Sequence, residues 1–399
     1  MRTDKAVNIE DLRRMAKRHL PRICFDFIEG GLEDEQGVAR NETAFARHRL
    51  MPRYLVDVSK RDLSTNLFGQ KFALPFGIAP TGMAGLFRRG ADLMLAEAAR
   101  NADMPFIMSG ASTASIEAAA KVAPQHAWYQ LYGARDMKVS EDMIRRARDA
   151  GLSTLVHTVD VPIGGKRERN IRNGFTRPYK LKPSIALEAL RHPAWIADYL
   201  RHGGMPMLEN WKPYAPPGAS TNEVADFLGS QTPSTQTWRE LEAYRRLWPR
   251  KLVVKGVLHI DDARRAADMG VDGIMVSNHG GRQLDRAPSP LEVLLQINQA
   301  VGSRIAVMFD SGIRRGSDIV IARCLGAQFV FVGRATLYGA VVGGRAGATR
   351  AIDILRDEVQ RVLMQMGCPS INQLGPHWLM SGIGAAAIPP HQDHQFAAD

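Results

Sequence analysis

Gly273-Ile274-Met275-Val276-Ser277-Asn278-His279-Gly280-Gly281-Arg282-Gln283-Leu284-Asp285 is one copy of the pattern that decides the fold. Its first four residues make an apolar run of strand length, and a helical apolar period follows over Pro290–Ala300. Between them, just past the carboxyl end of the strand, a histidine and an arginine stand among glycines. Histidine is the side chain whose ordinary pKa lies nearest neutrality, which suits it to proton abstraction. Arginine grips a carboxylate with two parallel hydrogen bonds. Gly280 and Gly281 let the backbone approach a ligand closely. A base beside a carboxylate clamp points to chemistry at the carbon next to a carboxylate.

Outward from this stretch, the same alternation of strand and helix recurs roughly eight times. The expected strands are Phe76–Ala79, Phe106–Met108, Ala127–Leu131, Thr154–Thr158, Leu252–Val254, Ile274–Val276, Ala306–Phe309 and Phe329–Val332. Helical periods lie between them at Asp92–Asn101, Ser115–Val122, Glu141–Ala150, Asp261–Met269, Pro290–Ala300 and Ser317–Leu325. Gly270 and Gly326 follow two of these helices, as C-capping glycines do. A further helix, Ile9–His19, precedes the series and stops before Pro21. This order predicts an α/β fold, a (β/α)8 TIM barrel with an N-terminal helical segment. A doubly wound open sheet is disfavoured: no Gly-x-Gly-x-x-Gly follows the first strand, and polar residues follow nearly every strand. The chain reads as one domain over 1–399, with the barrel at about 70–365 and a flexible tail at about 380–399. After strand four, the stretch from about 173 to 248 is far too long for one crossover. It is expected to be an insertion at the active-site end: a lid, an oligomer contact, a membrane-surface anchor or a loop with short packed helices.

The bulk properties narrow the function. At 399 residues, with 45% apolar and 23% charged content, the chain is an ordinary folded domain with a large core. The net charge is +11, but the 52 basic residues are spread along the chain without an aromatic-interleaved run, so no nucleic acid is expected as a partner. Cys24, Cys324 and Cys368 fit no metal or redox spacing and read as buried thiols in a reducing cytoplasm. Residues Met1 to Leu20 lack a signal core, and no run resembles a membrane span. His391, Asp393 and His394 in the tail read as solvated, and no metal is expected.

In barrels the chemistry gathers at the carboxyl ends of the strands. There the chain presents, in order, Ala79-Pro80-Thr81-Gly82, Ser109, Gln130 with Tyr132, Thr158 with Asp160, Lys255, Ser277 with His279 and Arg282, Asp310 with Gly312 and Arg314, and Gly333-Arg334. The last two groups follow strands seven and eight, where barrels bind phosphate with backbone N–H groups, a helix N-terminus and a cation. A phosphate-bearing cofactor lying across the mouth would meet Ser109, Gln130, Thr158 and Lys255 with its ring. Flavin mononucleotide (FMN) fits this pattern.

These residues resemble the FMN-dependent α-hydroxy acid oxidase and dehydrogenase family from Leu20-Pro21 to about Gly367-Cys368-Pro369. The specific blocks are Ser277–Asp285, Ile78–Gly82, Trp128–Tyr132, Thr158–Pro162, Val254-Lys255-Gly256 and Gly333–Gly339. Gly30–Glu35 and Arg315–Val320 look nearest to the mandelate and lactate dehydrogenases of that family. The resemblance implies oxidation of an (S)-2-hydroxy acid, mandelate-like or L-lactate, to the 2-oxo acid. It implies His279 as base, Asp160 orienting it, Arg167 and Arg282 holding the substrate carboxylate, and Tyr132 near the reacting oxygen. It further implies Lys255 beside flavin N1 and O2, with Ala79, Pro80, Thr81, Ser109, Gln130, Thr158 and Ser277 around the ring. Asp310 would hold the ribityl chain, and Gly312, Arg314, Gly333 and Arg334 the phosphate.

One position departs from the family pattern. Phe27, in Phe25-Asp26-Phe27, stands where the family usually has a tyrosine whose hydroxyl helps bind the carboxylate. Gly82 leans toward a dehydrogenase passing electrons to a quinone or other carrier. The alternative is an oxidase that uses O2 and makes hydrogen peroxide. No haem domain is expected. The resemblance also implies a homotetramer and a cytoplasmic protein, with the insertion lying on the inner face of the cytoplasmic membrane. Arg177, Lys180, Lys182, Arg191 and Arg201 accompany Ile185, Leu187, Leu190, Trp195, Ile196 and Leu200 there. An isomerase barrel and a non-enzymatic binding barrel are the remaining classes, and the joint presence of His279, Arg167 and Arg282 disfavours both.

Overall fold

The computed structural model describes residues 2–175, 183–232 and 234–380. The tail after residue 380, with His391, Asp393 and His394, lies outside the described residues, as do Arg177, Lys180 and Lys182. Ten strands are described: β1 (Thr65–Leu67), β2 (Gln70–Phe72), β3 (Phe76–Ile78), β4 (Phe106–Met108), β5 (Ala127–Tyr132), β6 (Thr154–Thr158), β7 (Lys251–Val257), β8 (Gly273–Val276), β9 (Ala306–Asp310) and β10 (Phe329–Val332). Strands β3 to β10 pair in sequence order and close into a barrel through β10 and β3, all parallel. The eight expected barrel strands are these eight, most within a residue or two at each end.

Parallel strands covered on both faces read as near-continuous apolar runs, and β8 and β10 are buried at every position. Alternate side chains then divide between two cores. Ile107, Trp128, Val156, Val253, Met275, Met308, Phe329 and Phe331 point inward and fill the barrel, so it has no pore. Tyr129, Leu155, Val254, Ile274, Phe309 and Val330 belong to the layer between barrel and helices.

Sequence periodicity gave no warning of β1 and β2. They form an antiparallel hairpin whose turn residues, Phe68 and Gly69, both have positive φ (54° and 83°), the backbone of a type I′ turn. The Phe68 ring lies 5.8 Å from that of Trp128 and closes the amino-terminal end of the barrel. The opposite end is thereby the open one.

Helix boundaries follow local chemistry. Asn8 caps Ile9–His19 by accepting from the Asp11 N–H, and Ser289 with Glu292 makes a capping box for Pro290–Val301. Gly270 and Gly326 take the left-handed conformation after their helices (φ 73° and 100°). Helix Arg22–Glu29 follows Pro21 and lies at the barrel mouth, where its carbonyls meet side chains from β8 and β10 loops.

Between β6 and β7 come helices Glu168–Arg172, Pro183–Ala189, Pro193–Arg201, Thr221–Gln231 and Trp238–Leu247. The last of these buries Leu241 and Tyr244 against the barrel and leads directly into β7, as a crossover helix does. The excess length thus precedes it. Trp195 turns back onto the barrel, donating its indole N–H to the Leu86 carbonyl at 3.1 Å and stacking on Tyr199. Trp195 thus packs against the barrel, and Ile196 is half-buried. Leu187, Leu190 and Leu200 do face outward, each about two-thirds exposed.

Candidate active site

Every side chain singled out at the strand ends lies at the open end of the barrel. Two adjoining cavities meet there. One is lined by Ala79, Pro80, Thr81, Lys255, Asp310, Gly312, Arg314, Gly333 and Arg334. The other is lined by Thr158, Arg167, Met83, Ala111 and Phe175 and extends toward the insertion. Phe27, Tyr132, His279 and Arg282 line both and stand at their junction.

His279 is held from three sides. Its Nδ1 lies 2.9 Å from Asp160 Oδ1, its Nε2 lies 3.3 Å from the Tyr132 hydroxyl, and its backbone N–H donates to Ser277 Oγ at 3.1 Å. A carboxylate on Nδ1 fixes the tautomer that leaves Nε2 free to accept a proton. The backbone at His279 is itself left-handed (φ 58°), which projects the ring off the end of β8. Burial lowers the His279 pKa, reinforced by Lys255 and opposed by Asp160. The ring is therefore neutral near pH 7, the form that can accept a proton. Burial pushes the Asp160 pKa up, but His279, Lys255 and its hydrogen bond together bring it below the ordinary value. Lys255 and the hydrogen bond from His279 keep Asp160 anionic while the resting imidazole is neutral. Asp160 sits this close because position 256 is glycine: a Cβ there would lie 2.6 Å from the Asp160 Cβ. Gly256 (φ 105°) also marks the register shift in β7 that follows Lys255.

The arginines create a strongly positive wall. Among the described residues, the side-chain hydrogen bonds of Arg282 fall on Nη1, which donates to the carbonyls of Phe27 (2.9 Å), Ile28 (3.3 Å) and Gly30 (2.6 Å). Its Nε and Nη2 carry none to the described residues. Burial, with Arg167 and Arg334 nearby, drives the Arg282 pKa well below its ordinary value. A guanidinium does not give up its proton in practice, so the strain amounts to a demand for an anion. Arg167 precedes helix Glu168–Arg172, and Phe27 packs under both guanidinium groups, 5.9 Å from Arg167 and 5.1 Å from Arg282. Two cations beside a neutral base suit a carboxylate whose neighbouring carbon faces His279.

The other cavity suits a phosphorylated planar ring. Gly333 caps helix Arg334–Met366 without a side-chain cap, leaving first-turn N–H groups for an anion. Arg334 is fixed beside it by bonds to the carbonyls of Ile28 (2.9 Å) and Gly280 (2.9 Å), and Arg314 by Glu42 (2.8 Å). Gly312 (φ 84°) must be glycine, because a Cβ would come within 2.3 Å of the Asn41 carbonyl. Lys255 is only 3% exposed, bonded to Ser277 Oγ at 2.9 Å and to Asp310 at 3.3 Å. Burial opposes its charge, but Asp310 and Asp160 outweigh burial and raise its pKa, so the ammonium persists. Ser109, Gln130 and Thr158 form a buried polar row: Gln130 Nε2 donates to Thr158 at 3.0 Å, and Gln130 Oε1 accepts from Ser109 at 3.3 Å. Ser109, Gln130 and Ser277 stand behind the cavity wall and do not line it.

Some participants had no signal in the sequence pattern. The carbonyls of helix Arg22–Glu29 that anchor Arg282 and Arg334 are backbone groups. Asn41 and Asn278 exchange side-chain amide bonds (2.7 and 2.8 Å) that tie the N-terminal segment to the loop after β8. Ser311 carries no signal of its role in the sequence, although its hydroxyl meets the Gly280 N–H and the Asp310 carboxylate.

The FMN-dependent dehydrogenase family profile matches residues 16–381. The chain is 41% identical to (S)-mandelate dehydrogenase of Pseudomonas putida over 374 residues, covering 94% of each chain. It is 36% identical to an L-lactate dehydrogenase of Chromohalobacter salexigens, covering 95% of this chain and 96% of that one. Its fold superposes on the crystal structure of monotopic membrane protein (S)-mandelate dehydrogenase with a TM-score of 0.91, at 41% identity over 94% of this chain and 99% of that one. A profile spanning most of the chain and relatives above one-third identity along nearly their whole length place this barrel in the family of FMN-dependent dehydrogenases.

Proposed function

We propose that this enzyme oxidises an (S)-2-hydroxy acid, mandelate-like or L-lactate, to the 2-oxo acid and hands the electrons to a quinone or another carrier. The observation that carries this reading is the junction of the two cavities: a neutral His279 backed by Asp160, touching Tyr132, and facing the Arg167 and Arg282 pair. The names of the relatives support the same substrate class.

Arg167 and the unengaged nitrogens of Arg282 bind the carboxylate, which fixes the α-carbon in front of His279. His279 Nε2 takes a proton from the substrate, and Asp160 stabilises the imidazolium that results. Tyr132, whose pKa burial raises, stays a phenol and hydrogen-bonds the reacting oxygen. FMN, when bound, supplies the electron acceptor. Thr81 and the backbone of Ala79 and Pro80, with Ser109, Gln130, Thr158, Lys255 and Ser277, would surround its ring. Asp310 would hold its ribityl chain, and Gly312, Arg314, Gly333 and Arg334 its phosphate. Turnover of (S)-mandelate or L-lactate with a redox dye, in a cell that also records oxygen, tests the reading. Dye reduction with little oxygen uptake is expected. Rapid oxygen uptake with peroxide formation would make it an oxidase, and no turnover of either acid would sink the substrate assignment.

The part of the chain between β6 and β7 supports a position on a membrane surface, which this reading places on the cytoplasmic side. Exposed Leu187, Leu190 and Leu200 accompany exposed Arg191 and Arg201, the composition of a surface that lies on anionic lipid. No helix among the described residues is long and apolar enough to cross a membrane. Sedimentation with anionic vesicles should carry the protein down, and Leu187→Glu with Leu200→Glu should release it; an unchanged pellet would contradict the assignment. A homotetramer completes the reading, and a monomer mass by light scattering would contradict it.

A further inference from the structure

We propose that Ser311 is a positioning residue that locks the loop carrying His279 to the carboxylate of Asp310, and so sets the base and the charge around Lys255 together. The proposal rests on the flavin and hydroxy acid reading above.

Ser311 holds φ at 90°, a backbone conformation that glycine adopts freely and an L side chain resists. Its neighbour Gly312 has nearly the same φ (84°) and is glycine because no Cβ fits there. A serine kept at a glycine-type position calls for a reason in its side chain. The hydroxyl supplies one. Ser311 Oγ accepts the Gly280 N–H at 3.0 Å and donates to Asp310 Oδ1 at 2.8 Å.

These two bonds close a ring. Asp310 Oδ2 lies 3.3 Å from Lys255 Nζ; Lys255 donates to Ser277 Oγ at 2.9 Å; Ser277 Oγ accepts the His279 N–H at 3.1 Å; and His279 adjoins Gly280. The ring thus runs through the base loop, the buried ammonium and the carboxylate, and Ser311 is the only hydroxyl in it that bridges the loops after β8 and β9. Its removal frees the Gly280 N–H, so His279 loses one of the fixed points that align Nε2. It also leaves Asp310 without the hydroxyl's proton, so the carboxylate draws more fully on Lys255 and less positive charge remains for the cofactor.

The test compares holoenzyme of the parent with Ser311→Gly and Ser311→Ala. The glycine variant relieves the backbone while removing the hydroxyl, and alanine removes the hydroxyl alone. Both are expected to retain FMN, and Ser311→Gly to melt no lower than the parent. Both should bleach about tenfold more slowly with substrate, at a KM within about twofold of the parent. The bound FMN should show a more negative midpoint potential in each. Ser311→Gly reacting at the parent's rate with the parent's potential would overturn the proposal. The potential is read by dithionite titration against a reference dye, whether or not any hydroxy acid reduces the protein, so a wrong substrate assignment and a wrong role for Ser311 fail separately.

Discussion

The ring of Phe27 stands beneath two guanidinium groups and against Phe175 at 4.7 Å, where a phenol would carry a hydroxyl toward the carboxylate site. A hydrogen bond to a charged group is worth roughly 1.5–3 kcal/mol. Phe27→Tyr should therefore tighten the binding of a hydroxy acid, lowering KM by about tenfold or more. A KM that does not fall would mean that another group already satisfies the carboxylate. The proposed base makes a second residue-level prediction. His279 must be neutral to accept a proton, so activity falls as pH drops through its pKa. Burial places that pKa below the ordinary 6.5, and the acid limb of kcat/KM should lie below that value. Asp160 raises the His279 pKa, so Asp160→Asn should move the limb to still lower pH while reducing the rate. A limb above 6.5 in the parent would contradict a buried neutral imidazole.

At the scale of elements, β6 carries a second histidine with a different task. His157 is fully buried on the outer side of the strand, with its ring 5.0 Å from Tyr244 of helix Trp238–Leu247. Burial lowers its pKa to about 4 from an ordinary 6.5. Above the ordinary value both folded and unfolded chains hold it neutral, and it contributes no pH dependence. Between that value and about 4 the unfolded chain takes up a proton that the folded one refuses, so stability falls as pH falls, by roughly 3 kcal/mol in all. Urea unfolding at pH 7 and pH 5 should show roughly 2 kcal/mol of this loss, and His157→Leu should reduce the difference between the two. An unchanged difference in the variant would assign the acid sensitivity to other groups.

For the whole molecule, period and capping located the barrel because each unit buries its strand on both faces and gathers most of its polar residues at the open end. The hairpin β1–β2 escaped notice because strands of three residues give too short a period, and its turn uses Phe68 where glycine or asparagine would have marked it. The site was legible as types, His279, Arg282, Asp160 and Lys255 at successive strand ends. Its assembly was not, because the anchors of Arg282 and Arg334 are carbonyls of helix Arg22–Glu29, some 250 or more positions away in sequence. The place of Trp195 is illegible for a related reason: its apolar ring suits lipid and barrel equally, and its bond to the Leu86 carbonyl is seen only in the fold.

The central claim is that one barrel mouth brings a flavin and a 2-hydroxy acid together over His279. The most direct test is the visible spectrum of the purified protein without oxygen, before and after (S)-mandelate and, in a separate cuvette, L-lactate. A flavin spectrum that bleaches rapidly with at least one acid, and bleaches slower by about a hundredfold or more in His279→Asn, is the predicted result. A flavin that stays oxidised with both acids, or a His279→Asn protein that bleaches as fast as the parent, would contradict it.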